Sequence, residues 1–308
     1  MTTSLDRDAE GAQSIPMLAN PSLLLIATGA LVGINFPLGK LAGDAGISPI
    51  LWAMIPSLGV AVILFPALAA RRALRAPERK VVRFAIFGGI VSFVIPNVIL
   101  YAVIPHAGAG YMGLMFAQSP VFTLAFSAVL GLRTPGRLGL AGIAVGLVGA
   151  AIVSLTRGTA ADAPEPIWIA AGFAVPVALA VGNVYRSMAW PENVSPDVLA
   201  FWSHGAALFG FLALLLAVEG TVPAASLAAA PEAALAQALA AAAAFPLFFR
   251  LQRIGGAVLL SQIGYVAAAV GLVVATILLG ERYGWETWAG ALVIAAGIAL
   301  TVLAQRRS

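Results

Sequence analysis

The chain has 308 residues, 61% of them hydrophobic and only 10% charged, with a mean hydropathy of +0.99; the roughly 25% of charged residues that a water-facing surface carries is missing, which excludes a soluble domain as the bulk of the structure. The net charge is +4, but the basic residues sit in short runs between long apolar segments, so no basic domain is available to a nucleic acid. The absence of cysteine excludes disulfide frameworks, thiolate metal sites and cysteine nucleophiles together.

Residues 1–21 set Arg7 among Asp6, Asp8 and Glu10. They lack the positive n-region of a signal peptide and read as a disordered cytoplasmic tail. Beyond them, stretches of about 20 mostly apolar residues, the length that crosses the hydrocarbon core, recur at 22–41, 47–70, 83–104, 107–130, 136–155, 166–189, 197–219, 231–250, 255–280 and 286–304. The eighth is the weakest, being Ala-rich and carrying Glu232 and Gln237. A surface helix is its alternative reading; the symmetry below favours a span.

Lys and Arg set the orientation. With the N-terminus inside, the outer side holds only Lys40, Arg157 and Arg282 of the 17 basic residues. The others fall on the inner side, Arg186 counted among them. Both termini are therefore expected in the cytoplasm of a multi-pass protein of the bacterial inner membrane. Trp168, Trp285 and Trp288 stand at span ends and read as interfacial belt residues.

The two halves repeat. Asn35 and Ser48-Pro49 match Asn183 and Ser195-Pro196, Pro96 matches Pro246, and Gly131-Leu132-Arg133 matches Gly280-Glu281-Arg282. Gly142 and Gly149 share the spacing of Gly290 and Gly297. Each half has an odd number of spans, so the second copy lies inverted, the arrangement of alternating-access carriers with a site at the repeat interface. The expected fold is all-α: ten transmembrane helices as two inverted five-helix repeats, 22–155 and 166–304, joined by an extracytoplasmic linker 156–165 and followed by a cytoplasmic end 305–308.

These features, in this order, resemble the drug/metabolite transporter superfamily in its EamA-type branch of ten-helix carriers. The resemblance rests on Asn35-Phe36, the Ser-Pro openings at Ser48 and Ser195, Pro120-Val121-Phe122, Gly280-Glu281-Arg282 and the Gly-rich fifth and tenth spans. Within the superfamily the chain looks most similar to aromatic amino-acid exporters of the YddG type. Two departures stand out: Leu132 where the family often has Glu, and no Arg after the Ser-Pro of the second span.

Polar groups inside a bilayer face a cavity or a partner, so they are the site candidates. The third span offers Asn97 and Tyr101, four apart on one face. The fourth offers Tyr111, Met115 and Gln118 with Ser119 along one helical stripe. The ninth offers Gln262 and Tyr265, the first Asn35, the sixth Asn183 and Tyr185, and the seventh Trp202 and His204. Against each stands the plainer reading of a hydrogen bond between neighbouring helices, worth about 0.6 kcal/mol on average. The Tyr111/Met115/Gln118 face and the Asn97/Tyr101 face are expected to meet around one central, largely uncharged cavity, joined there by Gln262 and Tyr265. No Asp or Glu stands at the centre of a span, which favours a facilitative carrier over a proton-coupled one.

Two motifs carry no function. Gly108-Ala-Gly110-Tyr-Met-Gly113 spells a dinucleotide fingerprint but opens a membrane span with no preceding strand. Asn193-Val-Ser195 spells a glycosylation sequon but is placed in the cytoplasm and is followed by Pro196. The Gly142-x-x-x-Gly146 spacing is a helix-packing signal, within the subunit or between copies in a homo-oligomer. The reading is an exporter of amino acids or similar metabolites, aromatic and hydrophobic ones included, with no cofactor, no metal, no nucleic-acid partner and the lipid bilayer as its solvent. A carrier of drugs or of a sugar-linked or phosphorylated metabolite is the alternative. An intramembrane enzyme or a non-transporting scaffold is the remote alternative: with His106 and His204 the only histidines and no aspartate at mid-span, the zinc and two-aspartate forms of proteolysis fail, and a Ser–His204 pair stands without a supporting motif.

Overall fold

A computed structural model describes residues 20–74, 76–132, 136–158 and 163–306. Most of the N-terminal tail, Arg75, Arg133, part of the linker and Arg307 lie outside the described residues. Every regular element among the described residues is helical. In chain order these are α1 (Pro21–Asp44), α2 (Pro49–Ala70), α3 (Arg79–Ala107), α4 (Ala109–Val129), α5 (Arg137–Gly158), α6 (Pro166–Met188), α7 (Pro196–Glu219), α8 (Pro231–Ser261), α9 (Ile263–Leu278) and α10 (Trp285–Arg306).

The helix starts follow from local chemistry. Ser48 and Ser195 each accept a hydrogen bond from the N–H three residues on, with proline at the first helical position, so both Ser-Pro pairs are N-caps. Eight of these helices are long and apolar enough to cross a membrane. The ninth span is longer than α9 alone. Gly256 has φ +66° and ψ −166°, which breaks α8, so the span starts at 257 and runs to 278. Gly108, with φ +98°, makes the corresponding break between α3 and α4; these left-handed positions are ones glycine adopts without strain.

Helix pairings obey the repeat. Exchanging α1–α5 with α6–α10 maps α2·α8 onto α7·α3, α1·α9 onto α6·α4, and α1·α8 onto α6·α3, while α2·α7, α4·α9 and α5·α10 map onto themselves. Corresponding helices run antiparallel where they meet. Gly149 lies against Ile294 and Gly290, and Gly297 against Gly146; on α4 and α9, Gly113 lies against Ala268 and Gly264 against Phe116. That is the inversion required by two five-helix repeats. The Gly142 and Gly146 backbone is thus taken up within the chain, against α10.

The doubtful eighth span is firmly seated. Gln237 is fully buried and donates to the Tyr101 hydroxyl, and the Ala238 backbone touches Gly59 of α2. Of the three tryptophans at span ends, Trp285 and Trp288 are exposed at the start of α10, whereas Trp168 stacks on His106 at 3.9 Å.

Glycine is required at the α5–α10 crossing, because a Cβ on Gly297 would stand 2.5 Å from the Gly146 nitrogen. Backbone cannot yield as a side chain can. Gly297→Val is expected to destabilise the protein by about 1–3 kcal/mol, read as a lower melting temperature in detergent.

Candidate functional site

Between the repeats lies a cavity. Its wall comes from both halves: Asn35 and Phe36 of α1, Ser92, Phe93, Asn97, Leu100 and Tyr101 of α3, Phe116 and Ser119 of α4, Asn183 and Arg186 of α6, Phe245 and Phe248 of α8, with Val32, Leu179, Ser261 and Ile263 completing it.

Prolines shape this wall. Pro37 follows the break of α1 at Ile34, Pro96 follows a π turn over Ile90–Val94, and Pro120 follows the break of α4 at Ala117 and Gln118. A proline supplies no N–H to the preceding turn and pushes the helix off its axis. Asn35, Phe93, Phe116 and Ser119 all sit at such interruptions, and Phe245 precedes Pro246.

Arg186 is the charged group in the wall. It is 1% exposed. Its Nε donates to Gln252 Oε1 at 2.8 Å and its Nη2 to Asn183 Oδ1 at 2.7 Å. The guanidinium carbon lies 4.9 Å from the Phe248 ring centre and 5.7 Å from that of Phe93, within cation–π range. Gln252 also donates to the Asn183 carbonyl and to Ser187 Oγ, while Asn183 Nδ2 reaches Ser119 and Thr123 at 3.4 Å. Beyond Gln252 opens a polar groove bordered by Trp190, Glu192, Asn193, Arg253 and Gly256.

Tyr101 marks the far end of the cavity, about 12 Å from Phe93 by helical rise. Beyond it the α3–α4 turn is held by a clasp from the other repeat. Glu281 accepts the N–H groups of Ala109 at 2.8 Å and Gly110 at 3.0 Å. Tyr283 donates its hydroxyl to the same carboxylate and accepts from the Tyr111 N–H at 3.3 Å. Burial and the adjacent Glu281 carboxylate raise the Tyr283 phenol above its ordinary pKa, so it stays a donor at physiological pH. Arg157 Nε donates to the Ala107 carbonyl at 2.9 Å, and Lys40, paired with Asp44, reaches the Pro105 carbonyl at 3.5 Å.

The structure brings Asn35, Asn97, Tyr101, Ser119 and Asn183 to one cavity. The face of Tyr111, Met115 and Gln118 points elsewhere, because these residues pack on α5 and α6 while Phe116 and Ser119 turn inward. Tyr111 Oη donates to the Ile169 carbonyl and pairs with Ser154 Oγ, Ser154 also reaches the Met115 sulfur, and Gln118 Oε1 lies against Gly146. Tyr185 packs on Phe84 and Phe87. Trp202 borders an apolar groove between α3 and α7. His204 sits behind the wall, 3.0 Å from Ser57 Oγ through Nδ1 and stacked on Phe93 at 4.2 Å. Gln262 caps the α8–α9 junction and Tyr265 is half-buried; neither lines the cavity. Gln118→Met and Tyr111→Phe are therefore expected to leave substrate KM within about twofold, since the Gln118 amide has no hydrogen-bond partner among the described residues and an apolar replacement of such a group costs little. Transport kinetics at equal expression check this.

Arg186, which the sequence marks with Lys40 as one of two basic residues near span interiors, is the main wall residue absent from the sequence-based pathway candidates. Its signal was available: it follows Asn183 by three residues, hence on the same face, inside an apolar span. The phenylalanines gave none, because a cavity-lining Phe and a lipid-facing Phe read alike.

The EamA-like transporter family matches the chain twice, over residues 20–155 and 166–303. The chain belongs to the EamA-like transporter family. Each match holds five of the ten helices, so the family assignment and the two-fold pairing describe the same duplication. This EamA-like chain is also similar to a protein of known crystal structure, at 22% identity and a TM-score of 0.63, over 92% of this chain and 97% of the other; at that identity the likeness concerns the fold. No curated protein matches the chain. The EamA-like family is one of transporters.

Proposed function

We propose that this transporter exports amino acids, aromatic and hydrophobic ones among them, across the bacterial inner membrane by alternating access, with both termini in the cytoplasm. The observation that carries the reading is the composition of the shared cavity. Phe36, Phe93, Phe116, Phe245 and Phe248 offer an apolar bed, and the amides of Asn35, Asn97 and Asn183 stand on the same wall. An amphipathic molecule with an apolar side chain and a compact polar end matches that division. With the N-terminus inside, the Arg186 end of the cavity faces the cytoplasm and the Glu281 clasp faces out, so cargo enters at the polar end.

Among the described residues no Asp or Glu lines the cavity, which supports facilitated movement without obligatory proton coupling. Purified protein in liposomes is expected to equilibrate labelled phenylalanine, leucine or tryptophan with no imposed gradient. Accumulation against the substrate gradient, driven by a pH difference and abolished by a protonophore, would falsify the uncoupled reading. Failure of every amino acid to exchange would remove the substrate assignment.

A further inference from the structure

Resting on the amino-acid reading and deepening it, we infer that Arg186 is the receptor for a carboxylate on the transported molecule, and that Gln252 and Asn183 hold its guanidinium with one edge left to receive it. A buried cation is costly unless partnered. Among the described residues no Asp or Glu lies within ion-pair distance of Arg186, whose acceptors are two neutral amides. Nη1 has no hydrogen-bond partner among the described residues, and the residue stands on the cavity wall. Two of the five guanidinium N–H groups are thus used, and the edge formed by Nη1 and the second N–H of Nη2 suits a planar carboxylate.

Charge and surroundings narrow the ligand further. Among the described residues Arg186 is the single cation of the wall, and two of its neighbours are phenyl rings. A monoanion is matched; a phosphate dianion, which calls for several donors, is not. A lone amine would find no counter-charge there among the described residues. It would find an acceptor, however: Asn35 Oδ1 is buried with no hydrogen-bond partner, on the same cavity wall. The class that fits is a carboxylate with an apolar body, with an α-ammonium accepted at Asn35.

The test uses the purified full-length protein and four probes that differ only at the polar end: phenylalanine, 3-phenylpropionate, phenylalaninamide and phenethylamine. Calorimetric binding is expected to favour the two carboxylates by roughly ten- to a hundredfold, the range for a buried charged hydrogen bond. Arg186→Gln is expected to bring acid and amide to equal affinity, and Arg186→Lys to restore part of the preference. Gln252→Leu is expected to weaken phenylalanine binding several-fold while keeping the preference for the acid, because the cation stays and one of its two holders is lost. Equal wild-type affinity for acid and amide, or an unchanged preference in Arg186→Gln, overturns the receptor role; if that variant does not fold, the wild-type panel alone decides. Loss of the preference for the acid in Gln252→Leu, with Arg186 intact, overturns the positioning role of Gln252. Arg186-dependent binding of 3-phenylpropionate, with no amino acid moved in vesicles, would sink the amino-acid reading and leave this inference standing. Equal transport of phenethylamine and phenylalanine would do the reverse.

Discussion

Glu281→Ala is expected to shift the transporter toward a state open at the α3–α4 end, by roughly thirty- to several-hundredfold in the closed-to-open ratio. The first turn of a helix leaves N–H groups without intrahelical partners. At α4 three of them are met from the other repeat: Ala109 and Gly110 by the Glu281 carboxylate, Tyr111 by the Tyr283 hydroxyl. A carboxylate at a helix N-terminus also gains from the helix dipole. Charge-assisted bonds contribute about 1.5–3 kcal/mol each when buried. Water replaces them on opening, so about 2–4 kcal/mol is the expected net loss, which gives the ratio above. The repeat makes the point sharper, because the position matched to Glu281 in the first half is Leu132, half-exposed, and the carboxylate clasp therefore belongs to one end only. The chain has no cysteine, so spin labels can be placed at Asp44→Cys and Arg282→Cys on either side of the clasp. Their distance distribution should broaden and lengthen in Glu281→Ala, with slower transport, since a carrier must close each end in turn. An unchanged distribution with wild-type transport would mean that something other than this carboxylate closes the end.

The fold was legible because membrane physics leaves few choices. A bilayer admits helices of a fixed length, and the duplicated prolines, Ser-Pro caps and glycine spacings disclosed the repeat without structural help. The site was legible in part. Asn35, Asn97, Tyr101 and Asn183 are polar in apolar spans, and burial of polar groups has to be answered by a cavity or a partner. The same rule could not separate the two answers. Gln118 and Tyr111 pack on α5 and α6, and His204 sits behind Phe93, yet in the sequence they carry the same signal as Asn97. Helical periodicity gives the face that residues share and not the direction in which it points; α4 also breaks at Gln118, so Phe116 and Ser119 turn inward instead. Arg186 was counted as a topology charge because it lies two residues from the end of α6. Its burial depends on α3 and α8 packing around it, which no local pattern records.

The interruptions that hide the site from sequence periodicity are also what build it, and Pro96 is the place to test that. Proline at 96 offers no N–H to the Ser92 carbonyl, and α3 widens there into the π turn Ile90–Val94, closed by the Ile95 N–H on the Ile90 carbonyl. The extra residue in that turn sets Ser92 and Phe93 on the same wall as Asn97, Leu100 and Tyr101. In an unbroken α-helix each residue advances about 100°, so removing the inserted residue would turn Phe93 away by about that angle. Phe93 would then lose its stack on His204 and its place beneath Arg186. Proline inside a helix costs about 3 kcal/mol relative to alanine, so Pro96→Ala is expected to leave the melting temperature unchanged or raise it. Transport is expected to fall at least tenfold, because the aromatic bed and the arginine would no longer share a wall; π turns of this kind are found at working sites for that reason. A fall in stability alongside the lost transport would indicate general damage instead. Wild-type transport in Pro96→Ala would show that packing by Phe245 and His204 holds the π turn without the proline, and the cavity's shape would then be a property of the interface between the repeats, no longer of α3 alone.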